Sequence, residues 1–78
     1  MTEKDIIREA MKSIGWTQDT LAEQMGYKTQ SAVANRLSGA SMRVDTFVKF
    51  LEVMGYEVVV RSKSPQVNKN KWVVRDED

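Results

Sequence analysis

A mainly α domain of four or five helices closed by a C-terminal β-hairpin is predicted by three features of these 78 residues. Apolar side chains recur at steps of three and four in four separate stretches as far as Met54. Each stretch stops at or beside a glycine: Gly15, Gly26, Gly39 and Gly55. Short β-branched runs appear only after the last of these. A chain of this length holds one hydrophobic core, so residues 1–75 are expected to form a single domain followed by an acidic tail, 76–78.

The first helix is expected over about 3–14, with Ile6, Ile7, Ala10, Met11 and Ile14 making one stripe and Gly15 ending it. Thr17 can cap a second helix, about 18–25, because its hydroxyl can accept from an orphan backbone N–H. Leu21, Ala22 and Met25 are its inward positions, and Gly26 stops it. A third helix, about 29–38, follows closely, with Val33 and Leu37 as a buried i, i+4 pair. After a Gly39-Ala40-Ser41 turn, a fourth spans about 44–54, its stripe being Val44, Phe47, Val48, Leu51 and Met54 with Phe50 nearby. Two strands are expected over about 56–62 and 71–75, joined by a loop from Ser62 to Asn70 that contains Pro65, Asn68 and Asn70. An isolated hairpin is barely stable in water, so this one must pack on the helices or pair with another chain.

Composition removes whole classes of chemistry. There is no Cys and no His, so disulfides, thiolate or imidazole metal sites and most nucleophile–base pairs are excluded. No positioned nucleophile or phosphate-cradling glycine loop is present, and neither an enzyme nor a cofactor is expected. Asp5 and Glu9 are an exposed i, i+4 pair rather than a catalytic dyad. No apolar run has the length of a membrane span, and residues 1–12 are unlike a signal sequence, so a cytoplasmic, nucleoid-associated location is expected. The net charge of +1 divides unevenly: residues 1–27 carry three bases against five acids, residues 28–75 nine bases against three, and the tail three acids. That asymmetry permits an anionic partner on the central and C-terminal surface, although an ordinary solvated surface has the same composition.

Helix, short glycine-containing turn and helix is common by itself; the side chains at fixed offsets are more informative. Ala22 is small where a second helix must cross closely, and Gly26 supplies the left-handed conformation that reverses the chain. The run Thr17-Gln18-Asp19-Thr20-Leu21-Ala22-Glu23-Gln24-Met25-Gly26, followed by Gln30-Ser31-Ala32-Val33-Ala34-Asn35-Arg36-Leu37-Ser38-Gly39, resembles the helix-turn-helix of the phage repressor and Cro superfamily, the XRE-type regulators. Val44 to Gly55 is similar to the helix that follows in many members, and the resemblance covers roughly residues 4–60. It implies a repressor-like helix-turn-helix domain that binds double-stranded DNA as a small bacterial or phage-type transcriptional regulator, a repressor, commonly as a homodimer. The turn from Gly26 to Gln30 is one residue longer than in the best-known members, and Arg36 stands where an apolar residue is usual. Arg36 thus reaches either toward a phosphate or along the edge of the core.

With Val33 and Leu37 inward, a 100° step places Ser31, Ala34, Asn35 and Ser38 on the outer face of the third helix. These short side chains suit a major groove about 12 Å wide, where Asn and Gln can pair with adenine and Ala can touch a thymine methyl. Together with Gln30 they are the candidate base readers. The family resemblance assigns Gln18 a phosphate contact and the role of propping Gln30. Lys28, Thr29, Arg36 and Arg43 are the remaining phosphate candidates, though a lone surface cation is more often merely solvated. Val58, Val59, Val60, Val73 and Val74 are candidates for a dimer surface, since an exposed β-branched edge invites pairing; closure within one chain over the fourth helix is the equal alternative. Trp16 is read as packing at a helix junction and Trp72 as covering a sheet face, and Met11, Met25, Met42 and Met54 as core filler.

Two other functions fit the same scaffold. A protein-interaction module would need large apolar anchors on the outer face of the third helix, and Ser31, Ala34, Asn35 and Ser38 provide none. An antitoxin repressing its own operon would use the hairpin and acidic tail to hold a toxin.

Overall fold

The computed structural model describes residues 1–39, 41–63 and 71–75. Ala40, the loop segment 64–70 and the acidic tail 76–78 lie outside the described residues. Four helices, α1 (Glu3–Ile14), α2 (Gln18–Met25), α3 (Ser31–Ser38) and α4 (Val44–Val53), precede two strands, β1 (Val58–Arg61) and β2 (Lys71–Val74).

The helix ends are set by local chemistry. The Thr2 hydroxyl accepts from the Asp5 backbone N–H at 3.2 Å, and the Thr2 N–H donates to Asp5 Oδ2 at 3.1 Å, a reciprocal box that fixes the start of α1. The bond from the Thr2 N–H, then that with the Thr2 hydroxyl, holds the Asp5 carboxyl below its ordinary pKa. Thr17 caps α2 as its sequence position predicts, accepting from the Thr20 N–H at 3.2 Å. Gly15 and Gly26 leave α1 and α2 in the left-handed region, at φ 72° and 78°.

The core lies where the four helices meet. Ile7, Leu21, Val33, Leu37, Val48 and Phe50 are almost completely buried, with Ala10, Met11, Ala22, Leu51 and Met54 close behind. Fully burying one such aliphatic or aromatic side chain is worth about 1.5–3 kcal/mol. Trp16, Met25, Tyr27, Met42, Phe47, Val53 and Val58 pack around this centre half-exposed. The junction reading of Trp16 and the filler reading of the four methionines therefore fit.

Helix α4 keeps Phe47, Val48, Leu51 and Met54 of the expected stripe inward but departs from it at two positions. Phe50 is completely buried, whereas Val44 is 71% exposed. The cause is that α4 packs against α1 on one side and α2 on the other, so it buries a wider arc than one stripe. Val44 opens the first turn, beyond the reach of both neighbours. Helix α3 also begins two residues later than expected, because 28–30 form a turn leading into it.

The strands pair with each other, antiparallel, in the register Val58↔Val74, Val59↔Val73, Val60↔Trp72 and Arg61↔Lys71. They are four residues each, shorter than the expected spans. Only the base of the hairpin is seated: Val58 packs on the core and Val74 is half-buried, while Val59, Val60, Trp72 and Val73 are exposed. Trp72, expected to cover a sheet face, is 58% open to solvent.

Candidate nucleic-acid interface

Helices α2 and α3 are joined by a turn whose backbone closes on itself. The Gly26 N–H donates to the Glu23 carbonyl at 3.1 Å and the Tyr27 N–H to the Ala22 carbonyl at 2.9 Å. Ala22 is almost fully buried in the same core cluster as Val33 and Leu37, and α2 packs against α3, which fits the small-residue crossing its sequence position implies. A larger side chain there would push the two helices apart.

That packing turns the other side of α3 outward. Gln30, Ser31, Asn35 and Ser38 are exposed, and Ala34 is half-buried. The Ser38 hydroxyl donates back to the Asn35 carbonyl at 3.2 Å, while no side-chain bond occupies the Asn35 amide or the Ser31 hydroxyl among the described residues. Gln30 stands at the N-terminal boundary of α3, and its Nε2 donates to Gln18 Oε1 at 3.1 Å. The first residue of α2 and the boundary residue of α3 are thus tied side chain to side chain, leaving one amide oxygen and one amide nitrogen with further bonding capacity.

The other residues named as phosphate candidates lie in the turn before α3, on α3 itself and just before α4. Lys28 and Thr29 are exposed in the turn. Arg43 is 82% exposed just before α4 and forms a two-pronged pair with Asp45 at 3.1 and 3.2 Å, a surface contact of small energy. Arg36 is less free. Its Nη1 donates to the Ala32 carbonyl at 2.8 Å, and its guanidinium lies 4.6 Å from the centre of the Tyr27 ring. Tyr27 in turn meets the buried Phe50 edge to face at 6.4 Å. The turn before α3 is therefore anchored from core to surface through Phe50, Tyr27 and Arg36.

Sequence reasoning missed a second set of positioning residues. From α1, Arg8 Nη2 donates to the Leu37 carbonyl at 3.2 Å, and Lys4 Nζ donates to the Gly39 carbonyl. Glu3 Oε1 accepts from the Met42 N–H at 3.2 Å. Two cations thus meet the carbonyl end of α3, where the helix dipole favours positive charge, and a carboxylate holds the chain leaving it. The available signal was the i, i+4 spacing of Lys4 and Arg8 beside Ile7 and Met11. Tyr27 was missed as well, being a lone aromatic in a polar turn.

Among the described residues no group of His, Cys, Asp or Glu is placed to hold a metal ion, and no helix is long and apolar enough to cross a membrane. No curated protein and no solved structure matches the chain significantly. A family model described as helix-turn-helix matches residues 7–60, which span α1 to β1. The matched region thus contains the α2–turn–α3 unit whose packing turns a slim polar face outward, and the chain belongs to the XRE-type, Cro- and repressor-like helix-turn-helix family of DNA-binding transcription regulators.

Proposed function

We propose that this protein binds double-stranded DNA sequence-specifically and acts as a transcriptional repressor in the cytoplasm, α3 entering the major groove. The observation that carries the reading is the Gln18–Gln30 bond at the edge of the exposed face of α3. It fixes an amide at the head of a helix whose outer surface is otherwise Ser31, Ala34, Asn35 and Ser38. In this reading Gln30, Ser31, Ala34, Asn35 and Ser38 meet base edges, and Gln18, Lys28, Thr29, Arg36 and Arg43 meet phosphates. Arg36 reaches its phosphate while its guanidinium stays over Tyr27, which lowers the entropy lost on contact.

One short helix reads few base pairs, so the protein works as a homodimer on a two-fold site. The free edges of the hairpin, Val58 to Val60 on one strand and Val73 to Val74 on the other, are the surface through which two copies join. An exposed β-branched edge favours that pairing.

The test is selection of bound duplexes from a randomised library at near-physiological salt. A palindromic consensus is expected, and Asn35→Ala should relax one position of each half-site at a cost of about 1–3 kcal/mol. Weak, salt-sensitive retention with no enriched sequence would overturn sequence-specific binding.

A further inference from the structure

We propose that the hairpin is a second phosphate-contacting element, which grips the backbone of duplex DNA with a cationic face made by Arg61 and Lys71. Side chains alternate along each strand, so the register puts Val58, Val60, Trp72 and Val74 on one face of the hairpin. Val59, Val73, Arg61 and Lys71 take the other. Arg61 and Lys71 are directly opposite each other at the last described pair, both exposed. Like charges directly across a strand pair oppose pairing, and among the described residues four pairs offset them. Neither strand contains an acidic residue, and neither cation forms an ion pair among the described residues. Lys63 and Arg75, also exposed, flank the same hairpin.

A surface of this kind fits a dense anion. A second copy presenting its own equivalent face would bring four cations together, so this face is not where two copies meet. Duplex DNA carries about one negative charge per 1.7 Å of axis, and a guanidinium fork beside an ammonium matches adjacent phosphate oxygens. Edge-to-edge pairing of two copies leaves this face uncovered. The inference rests on the reading that the protein binds duplex DNA.

The experiment compares the full chain with its Arg61→Gln/Lys71→Gln variant on one duplex, titrating salt from about 50 to about 200 mM. Each phosphate contact contributes about 0.9 to the slope of log K against log salt, so the double variant should lose about two. Its preferred sequence should not change, and its melting temperature should stay or rise because the opposed charges are gone. Arg61→Lys should keep the slope. An unchanged slope overturns the proposal; if the variant also loses its dimer, the two cations belong to a protein contact instead. The two readings fail separately. Retention that selects no sequence but still depends on Arg61 and Lys71 removes sequence-specific reading and keeps the hairpin contact. A selected consensus with an unaltered slope does the reverse.

Discussion

The helical part and the hairpin treat the same kind of side chain in opposite ways. In the helices, Ile7, Leu21, Val33, Leu37 and Phe50 are sealed from water by neighbours on three other helices. In the hairpin, Val59, Val60, Trp72 and Val73 stay exposed, and the strands pack chiefly on each other. The apolar residues of the first region stabilise the monomer. Those of the second add little until another body covers them, and a two-stranded ribbon gains its stability from whatever it packs on.

The sharpest way to break this contrast is in the core. Phe50→Ala should cost about 3–5 kcal/mol, close to the whole stability of a domain this small, and should be read as loss of cooperative unfolding in denaturant. It also removes the ring under Tyr27, so the turn before α3 should loosen in any fraction still folded. The mirror change is Val60→Lys combined with Trp72→Lys. Val60 is 49% and Trp72 58% exposed, so helical stability should shift by no more than about 0.5 kcal/mol. If two copies join through the hairpin as proposed, sedimentation should show the parent as a dimer and the variant as a monomer. A large fall in helical melting would mean that the hairpin carries part of the core, and the contrast would collapse.

The smallest expected effect tests whether α1 depends on its first turn. The Asp5 carboxyl is held below its ordinary value of 3.8, so its contribution to folding is complete above that pH and is lost as pH falls through the depressed value. Amide exchange in the first turn of α1 should accelerate there and not in α4. Asp5→Ala should abolish that step.

What could be read in the sequence follows from how local the cause is. The four helices and their stops were legible because each depends on a cap or a glycine next to it, Thr17 and Gly26 being the clearest. The two strands were legible from β-branched runs, and their pairing within one chain is now explicit. The packing arc of α4 was not fully legible, since it is set by two neighbours at once; Phe50, expected beside the stripe, is completely buried, and Val44, expected in it, is exposed. The outer face of α3 could be predicted from the Val33–Leu37 pair alone, with Ala34 turning out half-buried. The bonds from Glu3, Lys4 and Arg8 span 29–39 residues; the i, i+4 spacing of Lys4 and Arg8 marks one face of α1 but does not say which distant main-chain atoms it meets.

Those three bonds share a property with a practical consequence. Their targets are the Leu37 and Gly39 carbonyls and the Met42 N–H, all main-chain atoms. The far end of α3 is therefore gripped without regard to which side chains it carries. Ser31, Asn35 and Ser38 can be exchanged while the grip from α1 stays intact, so on the proposed base-reading role the scaffold can be retargeted by swapping those positions alone. A library confined to these three residues should yield folded proteins at high frequency, with new preferences arising from an unaltered mount.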